Sequence, residues 1–475
     1  MEQLKDSAER AVDLARTLGA AYAEARVQDD LTNTLVVKNG NVEVGSTDRI
    51  LGIGIRVILD GSLGFASVNQ ADKELVRKRV SDALTMAKAA KGISQPVKLS
   101  EEKALEGRWE VREKIPFEDI SVEDKISLLL DADGFIESVG EARIPARLLE
   151  MKEMRTRKYF TNSEGSRISS SVSRVSFEAM ITALRGSDSE QGRFEVGEAG
   201  GWEAVDRWGI TERCAERARV LVRILQEARR APRGKIDLVL GSEIVGIVVH
   251  ESAGHPYEAD RILGREAAQA GESFVSVDML GTRIGSDIVN VVDDPTMKGS
   301  FGFYKTDEEG VSAKPRFLIK DGGINEFLHN RETASELGVQ SNAASRASEY
   351  DREPLVRMAN TYLLPGDADF QELVEDVKLG VYMKSYMEWN ISDLRFNMRF
   401  VGSEAYLIKG GELRNMVRRP IIELTTPKFY SKIDAVGKDL EFYPGLCGKG
   451  DPVQGVPVWF GGPAVRLTSV RLGGG

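Results

Sequence analysis

Cysteine and histidine are scarce in this chain, with two cysteines and three histidines among 475 residues. Two thiols cannot form a disulfide framework, and their rarity suits a reducing compartment, so a cytoplasmic location is expected. No stretch approaches the roughly 18 consecutive apolar residues that cross a bilayer, so no membrane helix is expected. The start, Met1-Glu2-Gln3-Leu4-Lys5-Asp6-Ser7, lacks the basic end and apolar centre of a secretory signal. Basic charge is in deficit. The 64 Lys and Arg against 74 Asp and Glu leave a net charge of −10, which argues against a broad electrostatic face for DNA or RNA. Basic runs at 229–235 and 414–419 read as solvated element ends. What is present is a globular balance, 41% hydrophobic and 29% charged, over a length that favours two or three domains.

The residue pattern predicts an α+β protein. Residues 2–27 read as one amphipathic helix, with Leu4, Ala8, Ala11, Leu14, Ala15 and Leu18 on one stripe. Asn39-Gly40 is a type I′ turn pair between two β-prone runs. Residues 52–59 then alternate, with Ile53, Ile55, Val57 and Leu59 on one face, before Asp60-Gly61 turns the chain into 62–67. A helix at 71–90 closes this unit. After a polar, irregular stretch at 91–118, a helix near 121–138, β-prone segments across 143–185 and a helix at 210–230 repeat the same order. That repetition hints at internal duplication about 91–118. Ala231-Pro232-Arg233-Gly234-Lys235 breaks the helix, and the expected boundary lies there. It separates an N-terminal α/β domain, 1–230, from a strand-rich C-terminal domain, 231–475, whose alternation over 390–425 suits antiparallel strands.

The chemistry concentrates on one helix of the second half. After the apolar strand Ile236-Asp237-Leu238-Val239-Leu240, a helical pattern runs from Glu243 into His250-Glu251-Ser252-Ala253-Gly254-His255-Pro256-Tyr257-Glu258-Ala259-Asp260. Two histidines flanking an acid on a helix form a metal-ligand arrangement with an internal general base. Histidines four apart would overlie one another, whereas five apart leave them about 140° from eclipsed. Both can face one metal if the helix absorbs an extra residue in a π-type turn, and Gly254, without a Cβ, is the expected place for it. A third ligand is needed, and Cys214, Cys447, His329 and Glu258 are the candidates. Cys214 sits on a packing stripe with Ala218, Leu221 and Leu225 and reads as core. His329 reads equally well as a structural histidine. Cys447 lies in Pro444-Gly445-Leu446-Cys447-Gly448-Lys449-Gly450, where a glycine-rich loop would let a thiol approach an ion and Lys449 would favour the thiolate. Other chemistries lack their signatures. Ser252 has no nucleophile elbow, and Gly52-x-Gly54 falls inside a strand pattern without a third glycine.

The segment His250–Asp260 resembles the signature of the TldD/PmbA family, on its metal-binding TldD side. The runs Val356-Arg357-Met358-Ala359-Asn360-Thr361-Tyr362-Leu363-Leu364-Pro365-Gly366 and Cys447–Pro463, the latter followed closely by Arg466-Leu467-Thr468-Ser469-Val470-Arg471-Leu472, are similar to that family too. The resemblance implies a zinc metalloprotease, historically described as a modulator of DNA gyrase, that cleaves peptides or unfolded polypeptides. It implies His250, His255 and Cys447 as zinc ligands and Glu251 as general base. It further implies an N-terminal α/β domain, a strand-rich C-terminal domain, and a PmbA (TldE)-type partner, with a homodimer as the alternative. An extended substrate adding to a sheet edge fits this reading, with Arg357 and Asn360 as candidate groove residues. The rival reading is a non-catalytic topoisomerase modulator with a structural zinc site, closed by Glu258 or His329 as fourth ligand.

Overall fold

Gly19 ends the first helix sooner than the helical stripe predicts. In the computed structural model, which describes residues 1–93, 95–140, 142–266 and 272–474, α1 covers Glu2–Thr17 and Gly19 turns with φ +98°. The chain then extends as β1 (Tyr22–Lys38), in which Ala23, Ala25 and Val27 are fully buried at a period of two. Alanine favours a helix in isolation, but burial of this alternating face decides the local conformation.

The turn signals act where they occur. Asn39 and Gly40 take φ +49° and +75°, the two positive values of a type I′ turn, and join β1 to β2 (Asn41–Leu59). Asp60 and Gly61, at +53° and +79°, join β2 to β3 (Ser62–Val68), and α2 (Lys73–Ala90) follows. The irregular stretch contains one short strand, β4 (Glu106–Glu110), before α3 (Val122–Glu137), β5 (Arg143–Asn162), β6 (Arg167–Arg185) and β7 (Asp188–Ala199). All seven strands join one sheet in the order β3-β2-β1-β5-β6-β4, with β7 also paired to β6. The helices α1 and α2 bury an apolar layer against β1 to β3, while α3 and the helix Ile210–Glu227 cover β5 to β7.

Among the described residues the remaining strands form a ten-stranded sheet, a six-stranded sheet and a two-stranded ribbon. In the ten-stranded one, Gly234–Leu240 lies between Val465–Gly474 and Leu379–Met383. The six-stranded one runs through Asn360–Leu363 and Gln454–Gly462 to Glu441–Lys449 at its edge. The helix Ser242–Val249 leaves the first sheet and packs on the second, with Ile244, Val245, Gly246, Ile247, Val248 and Val249 all buried. A helix apolar all round belongs in a core, and here it fixes where the residues after it stand. Gly246 permits the close approach, since a Cβ there would lie 3.0 Å from the backbone nitrogen of Gly461. The fold is α+β, as the sequence pattern indicates.

Gly52 and Gly54 occupy the β2 face opposite Ile53 and Ile55, and each is needed by a segment from the C-terminal half. A Cβ on Gly52 would meet the Tyr350 ring at 2.4 Å, and one on Gly54 would meet the Tyr350 carbonyl oxygen at 2.2 Å. Backbone cannot yield as a side-chain tip can. Gly54→Ala is therefore expected to cost about 1–3 kcal/mol, read as a lower denaturant midpoint with the far-ultraviolet dichroism of the folded state unchanged.

Candidate metal centre

The regular helix stops at Val249, and His250–Gly254 form a π-helical turn closed by the His255 amide donating to the His250 carbonyl. This i to i+5 bond takes the fifth residue into one turn and brings the two histidines to one side. Their ring centroids lie 5.1 Å apart, with the planes 83° to each other. Gly254 is not there for conformational freedom, because its φ of −63° suits any residue. It is there for space: a Cβ would reach the Met358 sulfur at 2.4 Å.

Cys447 completes the cluster. One ligand atom each from His250, His255 and Cys447 lies within 4.8 Å of the others, and Cys447 Sγ stands 3.3 Å from His255 Nε2. The thiol is not in a loop. It sits in the strand Glu441–Lys449, paired across to Val456, so a backbone ladder sets its height. Arg357 holds that strand by donating from Nη1 to the Gln454 carbonyl at 2.9 Å and from Nη2 to the Cys447 carbonyl. Both Arg357 and Asn360 are wholly buried and line no groove. Asn360 accepts from the Gly302 and Trp459 amides and donates to the Asp294 carbonyl and Ser300.

Glu258 orients the second imidazole. Its Oε2 lies 3.1 Å from His255 Nδ1 and 3.1 Å from Lys449 Nζ. Burial pushes the Glu258 carboxyl up, but Lys449, His255 and Arg261 outweigh that and hold it well below its usual range. An ionised carboxylate only accepts, so Nδ1 carries a proton toward Glu258 and Nε2 is the nitrogen turned to Cys447. Lys449 serves this network rather than the thiol, with Asp260 at 2.7 Å and Glu266 at 3.4 Å besides Glu258. For Cys447, burial raises the thiol pKa, yet the nearby His255 and Arg357 bring it below the ordinary value. The expected source of thiolate stabilisation, Lys449, is thus replaced by Arg357 and His255.

The donor set suits a zinc-like ion. Two imidazoles and a thiol of lowered pKa are the soft and borderline ligands such an ion takes. His250 Nδ1 is buried and has no hydrogen-bond partner among the described residues, and burial keeps that imidazole below its normal pKa and neutral. No fourth His, Cys, Asp or Glu of the described residues joins the group. Glu251, beside the cluster, is buried and ion-paired with Arg395, which reaches back from the turn between Tyr386–Ile391 and Asn397–Gly402. Nothing in the local sequence marked Arg395, because its partner is 144 residues away. A cavity of about 720 Å³ does not hold the cluster but opens at the other end of the helix, beside Ser242, Glu243, Tyr386 and Trp389.

The other candidates stand apart. Cys214 is buried in the helix Ile210–Glu227, where burial pushes its thiol up to about 12. His329 lies 3.3 Å from Thr333 Oγ1, and burial pushes it down to about 4. Its folded value is below its unfolded value of 6.5, so the unfolded chain binds more protons between the two. Stability from this group is present above pH 6.5 and is lost as pH falls toward 4, by about 3 kcal/mol in all. His329→Gln should flatten that part of the stability–pH curve in denaturant titrations while leaving stability near pH 8 much closer to wild type.

Models of three successive domains of one family match the chain. PmbA/TldA metallopeptidase domain 1 matches residues 23–89, the central domain 115–222 and the C-terminal domain 233–474. The chain is 32% identical to a metalloprotease of Methanocaldococcus jannaschii, over 94% of this chain and 95% of that one. It is 25% identical to a zinc metalloprotease TldD homolog of Saccharolobus solfataricus, over 97% and 98%. The fold matches a candidate modulator of a DNA gyrase from Thermotoga maritima with a TM-score of 0.80 at 18% identity, covering 98% of this chain and 99% of that one. It matches TldE from Thermococcus kodakarensis with a TM-score of 0.75 at 17% identity, covering 98% and 100%.

Proposed function

The chain belongs to the PmbA/TldA metallopeptidase family, and from that membership we propose that it hydrolyses peptide bonds in peptides or unfolded polypeptides with a zinc ion held by His250, His255 and Cys447. The observation that carries this reading is the convergence of two imidazoles and a thiol within 4.8 Å, on a turn whose hydrogen bonding is altered to allow it. Zinc held there supplies Lewis acidity to the scissile carbonyl and to an attacking water. The protein supplies the rest. Glu251 accepts the proton of the water and returns it to the leaving amine, and Arg395 positions the Glu251 carboxylate for both transfers. Glu258 holds His255 in its donor tautomer, and Arg357 holds the strand that bears Cys447.

That strand, Glu441–Lys449, is the edge of its sheet, so an extended substrate that pairs with it would pass the thiol with its backbone satisfied. Such pairing tolerates many side chains. A PmbA (TldE)-type chain is the partner this family membership favours, with a second copy of this chain as the alternative. No helix among the described residues is long and apolar enough to cross a membrane. A structural zinc closed by four protein ligands is less well supported, because Glu258 is committed to His255 and Lys449, and His329 lies outside the cluster.

Glu251→Gln is expected to keep bound zinc and to lose cleavage of an unstructured polypeptide by about 10²–10⁴-fold. Cys447→Ser should lower the zinc content after dialysis against a chelator, measured by atomic emission. Full cleavage by Glu251→Gln would deny Glu251 the role of general base, and absence of cleavage by the zinc-loaded wild-type protein would overturn the hydrolase reading and favour a topoisomerase modulator. Unchanged zinc in Cys447→Ser would remove the thiol from the ligand set. Arg395→Met is expected to retain zinc and to slow turnover on the order of 10²-fold, since it loosens the base rather than the ion. Wild-type turnover in that variant would deny Arg395 the positioning role.

A further inference from the structure

A second cavity, of about 100 Å³, lies between the N-terminal sheet and the C-terminal half, several times the space one water needs. Its wall is cationic. Arg26 from β1, Lys158 from β5, Arg174 from β6 and Arg346 from Ser345–Arg346 all line it. Arg26 and Lys158 share one carboxylate, Glu308. Arg174 and Arg346 have no carboxylate within ion-pair distance among the described residues, although both are only 7% exposed. Arg174 donates from Nε and Nη2 to the Phe301 and Phe303 carbonyls, and Arg346 from Nη1 and Nη2 to the Met358 and Pro457 carbonyls. Arg174 Nη1 and Arg346 Nε are left without a protein acceptor among the described residues.

The remaining acids nearby do not neutralise this pair. Asp307 spends its oxygens on the Glu309, Val311 and Ser345 amides, and burial holds its carboxyl well above the usual range. Asp30 accepts from Gln28, and burial raises its pKa as well. Burial, with the neighbouring charge of Arg346, drives the Arg174 guanidinium down to about 9. Two buried guanidiniums lining one cavity, neither with a carboxylate in ion-pair contact among the described residues, are costly unless an anion joins them. Planar forks are suited to oxygens of a carboxylate or phosphate.

We propose that this cavity binds a small oxyanion, between the guanidiniums of Arg174 and Arg346, with Lys158 at its mouth. The anion bridges the two halves of the molecule. It stands one strand from the metal cluster, because Val456, in the cavity wall, is the cross-strand partner of Cys447. Trp109 also lines the cavity, with Nε1 bonded to Thr306 at 3.2 Å, and reports on occupancy.

Inorganic phosphate and sodium acetate, each titrated into the whole protein at fixed ionic strength in chloride, test the assignment by calorimetry and tryptophan fluorescence. The expected result is saturable one-to-one binding of at least one of the two, with a fluorescence change absent in Trp109→Phe. Arg174→Met should weaken it about tenfold or more. Lys158→Gln, at a side chain 26% exposed, should weaken it too and serves if the Arg174 variant does not fold. Acetate binding with the same variant dependence would identify a carboxylate as the source, and phosphate binding alone a phosphate. Absence of saturable binding by either anion, or equal binding in wild type and both charge variants, would overturn the proposal.

Discussion

Two imidazoles five residues apart on a helix share a face only when one turn takes in an extra residue, and the rest of the centre is built around that constraint. A π-type turn is rare because it weakens local hydrogen bonding, so it persists where its surroundings over-determine it. Here the helix before it is buried on every side, the His255 amide still finds the His250 carbonyl, and Ser252 Oγ donates back to the Val248 carbonyl at 2.6 Å while meeting Tyr430 at 2.8 Å. Pro256 follows within a 3₁₀ turn, where its missing amide leaves no gap. The distortion is confined to five residues and braced at both ends.

The second constraint is long-range. Cys447 is 192 residues from His255 in sequence, and its position depends on a strand ladder and on Arg357. Residues 356–358 serve three purposes in sequence: Val356 offers its carbonyl to Lys449, Arg357 ties the Cys447 strand, and Met358 fills the space left by Gly254. The three segments that carry the family resemblance therefore meet at one point. Glu258 gathers the charges there, and a carboxylate so buried stays ionised only because His255, Lys449 and Arg261 face it.

Much of this was legible in the sequence where the determinants are local. Asn39-Gly40 and Asp60-Gly61 turn the chain as their positive φ values require, and the 250–255 spacing demanded the very distortion that is found. Local signals failed where distant packing decides. The alanines at 20, 21, 23 and 25 look helical, but a buried sheet face draws Ala23 and Ala25 into β1. Glycines around Cys447 suggest a loop, yet the partner strand Gln454–Gly462 makes the segment a ladder. Lys449 stands two residues from the thiol and shares its face of the strand, but three carboxylates from distant segments engage its ammonium. Arg357 and Asn360 are polar and could line a groove on composition alone, and only their full burial shows that they are clamps.

Arg395 exposes the tension between backbone comfort and chemistry. Its φ of +63° lies where an L-residue with a Cβ costs roughly 1–2 kcal/mol and where glycine would rest easily. Glycine would, however, leave the buried carboxylate of Glu251 without its guanidinium, a larger penalty than the backbone strain. The turn is held in this conformation from two sides, by the Arg395 amide donating to the Ser392 carbonyl at 2.7 Å and by Thr426 Oγ1 donating to the Arg395 carbonyl at 2.7 Å. Strain of this kind survives where a side chain is needed at one point and the surrounding elements can impose it. The same logic governs the π turn, so the centre is bounded by two unfavourable backbone segments, each kept by the side chain it delivers.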